Sequence, residues 1–147
     1  METLSRLEPW WITGLVDGEG TFTYSRSNHS IALYFGLKLT AADADIVHRV
    51  ADYFRVGRIY EVKARAPSGK GGATKSATYY RVQRHDELPI ITEHFDTYPL
   101  QSKKRDAYKI WRAMVDIKRE FRGRNREVLQ ELCLALSAAQ PRNQSWR

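Results

Sequence analysis

Segments with apolar residues at helical spacing alternate along the chain with pairs of segments in which polar and apolar residues alternate. Apolar residues three and four positions apart predict an amphipathic helix, and strict alternation predicts a strand with one buried face. The predicted helices lie at 7–17, 41–55, 89–97, 102–122 and 125–140. The predicted strands lie at 21–25, 31–40, 58–65 and 78–84. This order is typical of an α+β domain with an antiparallel sheet.

Each predicted strand has one face for the core and one face that is open to a ligand. The second strand is the clearest, because Leu33, Phe35 and Leu37 share its apolar face. The opposite face of the first, second and fourth strands collects hydroxyl, aromatic, amide and cationic side chains: Thr21, Thr23, Ser25, Tyr34, Lys38, Thr40, Tyr79, Arg81 and Gln83. On the third strand two pairs of residues lie at alternating positions and would point to opposite faces, and a bulge could bring both pairs to the open face. The competing pairs are Arg58 with Tyr60 and Lys63 with Arg65.

Composition places these elements in one domain. The chain has 147 residues, of which 42% are hydrophobic, and that suffices for one core. We expect a single domain over 1–140 and a polar tail over 141–147. No apolar run approaches the ~20 residues that span a bilayer, and the single cysteine excludes an intramolecular disulfide. These features predict an intracellular, cytoplasmic protein with no membrane partner and no small-molecule cofactor.

The net charge of +7 is concentrated in one segment. Between Arg55 and Arg84 the chain carries eight basic residues against Glu61 alone, so this segment accounts for the whole net charge. A localised basic strip is the electrostatic footprint of nucleic-acid binding. Arg and Gln on the open face suit guanine and adenine in the major groove of duplex DNA. Lys70 and Lys75, in and beside a glycine-rich loop, are expected to contact phosphates.

Two glycines lie four positions apart in the first predicted helix, and therefore on one face. An interior glycine costs ~1 kcal/mol relative to alanine, so a helix with two of them is expected to gain a contact in return. Small residues at this spacing let two helices approach closely. We expect the second helix to come from another copy of the chain, in a C₂ homodimer. The expected dimer interface is formed by Trp11, Ile12, Gly14, Leu15 and Gly18.

The segment Ile12–Gly20 resembles the nine-residue signature of the LAGLIDADG homing endonucleases, with Gly14, Leu15, Asp17 and Gly20 identical. A second segment, 99–103, is similar to the family's proline-leucine-x-x-lysine sequence after the last strand pair. The likeness covers roughly residues 10–120. It implies an αββαββα core, an antiparallel four-stranded DNA-binding sheet packed on helices, and additional C-terminal helices.

The resemblance also implies an activity. The family consists of site-specific endonucleases that hydrolyse both strands of double-stranded DNA, and a single-motif chain would act as a homodimer on a long pseudo-palindromic target. It would be encoded within an intron or another mobile element. Glu19 and the Gly18 carbonyl would bind Mg²⁺, with Ca²⁺ or Mn²⁺ as substitutes, and Glu19 and Lys103 would be the catalytic residues. The dimer would bring two Glu19 carboxylates together, and such a pair repels unless cations neutralise it. Asp17 is expected to be structural.

Two positions depart from the family pattern. The family usually has a polar residue, often glutamine, where this chain has Ala41, and a basic residue where it has Asp45. These departures favour an alternative, a non-cutting nucleic-acid-binding protein of the same fold, such as an RNA maturase or a DNA-binding regulator. A third hypothesis is a basic interaction domain with no nucleic-acid role.

Overall fold

The computed structural model describes residues 5–28, 30–67, 69, 71–121 and 126–140. A 3₁₀ turn, Ala41–Asp43, links the first hairpin to the second helix. The helices are α1 (Pro9–Glu19), α2 (Ala44–Phe54), α3 (Leu88–Thr97), α4 (Lys104–Phe121) and α5 (Arg126–Ala139). The strands are β1 (Gly20–Ser27), β2 (Ser30–Thr40), β3 (Arg58–Val62) and β4 (Ala77–Val82). The predicted α+β class and element order are confirmed.

The four strands form one antiparallel sheet in the order β1-β2-β4-β3. The two hairpins therefore meet through β2 and β4, and β1 and β3 are the edges. The register aligns one row of residues across all four strands: Thr21, Gly36, Arg81 and Arg58. Residues that lie opposite each other in such a ladder point to the same side, so this row belongs to one face.

The other face of the sheet is covered by the helices and carries the core. Phe22 lies at its centre, with its ring 4.9–5.3 Å from the rings of Phe35, Phe95, Tyr108 and Trp111. Each helix adds fully or largely buried apolar residues, among them Val16, Val50, Ile91, Met114 and Leu136. Burying apolar surface contributes ~25 cal/mol per Å², so this face is the main source of stability. The opposite face is left open.

Several element ends differ from the predicted ones by one to three residues, and three of the differences bear on the site. Helix α1 ends at Glu19, two residues later than predicted, and Gly20 follows it as the C-cap, where a Cβ would lie 2.5 Å from a methyl group of Val16. Strand β3 ends at Val62 because it pairs only with β4, whose first residue lies opposite Val62. Beyond that point Arg65 forms an isolated bridge with Thr74. Strand β4 ends one residue before Gln83.

The predicted polar tail over 141–147 lies outside the described residues. None of the helices in the described part of the chain is long and apolar enough to span a membrane.

Candidate active site and open sheet face

Helix α1 has one face in the core and one face in solvent. Ile12 is fully buried in this chain's own core, so its expected place in a dimer interface is wrong: it lies on the opposite side of the helix. Gly14, Gly18 and Trp11 are exposed, and Leu15 is half-buried. A Cβ placed on either glycine would have no contact within 4 Å. This exposed stripe is the surface on which a second helix could pack closely.

The buried face of α1 is held by directed hydrogen bonds. The Thr13 hydroxyl donates to the Tyr98 carbonyl at 2.9 Å, so its oxygen accepts a hydrogen bond from the Nε2–H group of His94 at 3.1 Å. The other ring nitrogen of His94 then accepts from the Tyr53 hydroxyl at 2.9 Å. Burial lowers the pKa of His94 to about 4, so the imidazole is neutral near pH 7. Through it α1 is connected to both α2 and α3.

Asp17 connects the end of α1 to the turn before α4. Its carboxylate accepts from the Gln101 and Ser102 amides at 2.9 and 3.0 Å and from the Ser102 hydroxyl at 2.7 Å. Burial acts to raise the pKa of Asp17, but these hydrogen bonds and the charge of Lys104 outweigh it and lower the pKa. Such a set of partners matches the expected structural role.

Glu19 is the last residue of α1 and is exposed. The ammonium of Lys104, the first residue of α4, donates to the Val16 carbonyl at 2.9 Å. Burial lowers the pKa of Lys104, although the charges of Asp17 and Glu19 oppose this. The sequence motif pointed to Lys103, which is exposed in the turn before α4. The structure brings Lys104 to the acidic helix end instead.

Helical spacing explains the position of Lys104 once the start of α4 is known. It precedes Tyr108 by four positions and Trp111 by seven, and both of those residues are buried. Residues at i, i+4 and i+7 share a helix face, so Lys104 points towards the body of the protein. Lys103 precedes the helix and lies outside this pattern.

The end of α1 offers oxygen ligands of the kind that hard divalent cations prefer. The last carbonyls of a helix have no intrahelical partner and carry a partial negative charge. The Gly18 carbonyl belongs to this group, and the exposed Glu19 carboxylate stands beside it. Mg²⁺ is commonly held by one or two carboxylates together with water and substrate phosphates. Within the described ranges, no three His, Cys, Asp or Glu side chains cluster as metal ligands.

The register decides which residues of β3 lie on the open face. Arg58 lies opposite Arg81, and Tyr60 lies opposite Tyr79. These two therefore belong to the open face, and no bulge is needed. The strand residues that share this face are Thr21, Thr23, Ser25, Tyr34, Lys38, Thr40, Arg58, Tyr60, Tyr79 and Arg81.

The other predicted contact residues lie outside the strands. Lys63, Arg65, Lys75 and Gln83 are exposed after β3, before β4 or after β4. Lys70 lies outside the described residues. The basic segment thus surrounds the β3 edge of the sheet. Sequence reasoning missed Gly36, because its importance depends on a side chain from another strand.

Arg81 is the most enclosed cation of the open face. Its guanidinium carbon lies 3.6 Å from the centre of the Tyr34 ring. Burial first, and then the neighbouring Tyr34, raise the pKa of Tyr79 to about 12, although the charge of Arg81 opposes this. Arg81 also borders a cleft of about 410 Å³, whose other lining residues are Gly57, Arg58, Tyr60, Gln83, Arg84 and Glu87.

The fold and the site define a class of α+β proteins. In this class a helix with two glycines ends in a carboxylate and leads directly into an open, basic sheet. The sequence profile of the LAGLIDADG endonucleases matches residues 12–115. The chain belongs to the LAGLIDADG endonuclease family.

Two relatives have names that refer to introns. One is an uncharacterized 50.9 kDa protein in ND4 intron 1 of Podospora anserina, 35% identical over 121 residues. The other is a probable intron-encoded endonuclease 3 of Neurospora crassa, 27% identical over 111 residues. These alignments cover 76% and 71% of this chain but 24% and 19% of the relatives. The chain therefore spans about a quarter or less of the curated relatives it matches.

Solved structures share the fold. The LAGLIDADG meganuclease I-AabMI, bound to uncleaved DNA, is 31% identical with a TM-score of 0.72, over 90% of this chain and 44% of that chain. The homing endonuclease I-TnaI has a TM-score of 0.73 over 92% of this chain and 97% of its own. At 19% identity, I-TnaI supports the fold alone.

Proposed function

We propose that this chain is a site-specific double-strand DNA endonuclease that works as a homodimer with a divalent cation, Mg²⁺ in the first place. Its target would be a long pseudo-palindromic duplex, and its gene would lie within an intron or another mobile element. The observation that carries the proposal is the exposed Glu19 at the end of α1. It stands on the same helix as an exposed glycine stripe and directly before the open face of the sheet.

The dimer completes the site in this proposal. Two α1 helices that cross at Gly14 and Gly18 bring two Glu19 carboxylates near the symmetry axis. Carboxylates that close repel each other unless a cation lies between them. The proposed pairing therefore creates a cation site that neither chain has alone.

Glu19 and the Gly18 carbonyl would hold the cation. When bound, it supplies positive charge that lowers the pKa of a water molecule and stabilises the leaving oxygen of the phosphodiester. Asp17 does not compete for it, because its carboxylate already accepts three hydrogen bonds from Gln101 and Ser102. Lys104 holds the end of α1 through the Val16 carbonyl. We assign the charge-stabilising role to Lys104 in place of Lys103.

The sheet would bind the duplex. Its open face carries arginine, lysine, tyrosine and threonine side chains, and the segment 55–84, which contains β3 and β4, carries the net charge of the whole chain. Base edges in the major groove would be contacted from the strands, and phosphates from the exposed Lys63, Arg65 and Lys75. The DNA-bound structure of I-AabMI supports duplex DNA as the partner.

The test compares Glu19→Gln with Glu8→Gln. Glu8 is an exposed carboxylate at the other end of α1, so it is a matched control. The full chain is incubated with a library of duplex sites and Mg²⁺. We expect wild type and Glu8→Gln to cut both strands of a subset of sites, and Glu19→Gln to bind the same sites without cutting. Chelation of the metal should stop cutting and leave binding. Cutting by Glu19→Gln would contradict the assignment.

The same experiment tests the non-cutting alternative. Ala41, in the 3₁₀ turn after β2, and Asp45, in the first turn of α2, are both exposed, and they supply neither an amide nor a cation there. If wild type binds duplex DNA or structured RNA tightly and cuts none of it, the binding function replaces the nuclease. Binding to neither would support a basic interaction domain.

A further inference from the structure

The guanidinium of Arg81 is held against an aromatic ring from the neighbouring strand. Arg81 lies opposite Gly36 in the sheet, and Tyr34 precedes Gly36 by two positions on the same face. Tyr34 is therefore the diagonal neighbour of Arg81, within reach of a long side chain. The guanidinium carbon lies 3.6 Å from the ring centre, which is close for a cation–π stack.

Tyr34 is itself supported by a second tyrosine. The Tyr79 side chain lies close enough to Tyr34 for this neighbour to raise the pKa of Tyr79. Its ring reaches across Gly36: a Cβ on Gly36 would lie 2.8 Å from the Tyr79 hydroxyl oxygen and 3.2 Å from a methyl carbon of Thr21. The missing side chain at Gly36 thus makes room for the contact between the two tyrosines.

The arginine Nε is enclosed. It is buried and has no hydrogen-bond partner among the described residues. Buried polar atoms without a partner are rare in native proteins. With Nε enclosed and one face of the guanidinium plane covered by Tyr34, the two terminal nitrogens are the donors left for a ligand. The cleft that Arg81 borders, beside Arg58 and Gln83, gives them room.

We propose that Tyr34 is a positioning residue that holds Arg81 so that its two terminal nitrogens donate to O6 and N7 of one guanine in each half of the target. This inference rests on the proposed DNA-binding function. A phosphate can be bound by a guanidinium in many orientations, whereas a guanine edge requires the planar fork in one orientation. A stacked side chain has already lost the rotamer freedom that binding would otherwise cost.

The test measures base preference at every target position for the full chain without divalent cation, so that binding is scored without cleavage. Wild type should prefer guanine at one position in each half-site, and Arg81→Lys should lose that preference. Tyr34→Leu should reduce it roughly 3- to 30-fold, the equivalent of a lost cation–π stack. Tyr34→Phe keeps the aromatic ring and should retain most of the preference for guanine. Leu134→Ala changes an exposed residue of α5, on the covered side of the sheet, and should leave that position unchanged.

Two readouts separate this role from a structural one. Tyr34→Leu should keep the wild-type salt dependence of binding, because no phosphate contact is lost. Gly36→Ala leaves both Tyr34 and Arg81 in place but displaces Tyr79, and it should weaken preference at the same guanine. It therefore tests the proposal even if Tyr34→Leu does not fold.

Other outcomes would overturn the inference. Unchanged guanine preference in folded Tyr34→Leu or in Gly36→Ala would do so, and so would an equal loss of affinity for all sequences. If wild type binds duplex without any base preference, or does not bind it, the proposed function fails as well.

Discussion

Polar side chains have different surroundings on helix α1 and on the open face of the sheet. At the buried side and the end of α1, polar side chains find partners inside the chain: Thr13 and His94 with each other, and Asp17 with the turn before α4. On the sheet, the cations stack on rings or extend into solvent, as Arg81 and Lys38 do. Their internal partners mark Thr13, His94 and Asp17 as groups that hold the fold. Exposed groups and the enclosed Nε identify the surfaces that are left for a ligand.

The exposed stripe of α1 should give the largest change in activity. Gly14→Leu should disrupt dimers and remove double-strand cutting, because overpacking a close contact costs about 1–3 kcal/mol. The isolated chain should fold at least as well as wild type, since leucine is a better helix former than glycine. Sedimentation and cleavage assays measure both effects. His48→Leu, an exposed position on α2, is the control. An intact dimer in Gly14→Leu would contradict the crossing of the two helices.

The buried side of α1 predicts an acid-sensitive fold. His94 has a pKa of about 4 in the folded chain and ordinarily 6.5, so the unfolded chain binds its proton first as pH falls. Stability is therefore complete above pH 6.5 and is lost as pH falls towards 4, by about 3 kcal/mol in all. Denaturant unfolding at several pH values measures this loss. His94→Gln should remove that slope, and the exposed His48→Gln should keep it. An unchanged slope in His94→Gln would contradict the assignment.

The two carboxylates at the end of α1 should behave oppositely. Asp17→Asn should lower the free energy of unfolding by about 1–2 kcal/mol, because hydrogen bonds to a charged group are lost. Glu19→Gln should change it by less than about 0.5 kcal/mol, as exposed substitutions usually do, while removing cleavage. Equal destabilisation by the two variants would contradict the assignment of Asp17 to the fold and of Glu19 to the ligand. Chemical denaturation at pH 7 is the measurement.

The smallest effect is expected at the edge of the sheet. Lys75→Ala should weaken DNA binding about equally for all sequences and reduce the salt slope by about 1. Arg81→Lys should change base preference. Because it keeps the charge, it should leave the salt dependence of binding unchanged. Binding titrations over a range of salt concentrations separate the two. A change of base preference in Lys75→Ala would mean that the loop reads sequence.

Much of the fold was predictable because its patterns are local. Alternation in 31–40 places Leu33, Phe35 and Leu37 on the buried face, as the structure confirms. Ile12 shows the limit. The interface expected around the two glycines includes Ile12, but Ile12 packs into the core with Val16. The apolar pattern of one helix does not say whether a given face packs on the chain's own core or on a second chain.

The candidate site was predictable in part for the same reason. Glu19 at the end of a helix with two glycines could be found from the chain alone. Lys104 could not be chosen over Lys103 from the motif, because the choice depends on where α4 begins and which way its first turn faces.

The sequence by itself determined the alternation of helices and hairpins, the buried face of each main strand, the acidic end of α1 and the basic segment. All of these follow from periodicity and charge within a few residues. The tertiary structure decided the strand order, the open-face position of Arg58 and Tyr60, and the stack of Arg81 on Tyr34. The register of a strand and the contact between two side chains depend on partners far along the chain. A shift by one residue would turn every side chain of β3 to the other face.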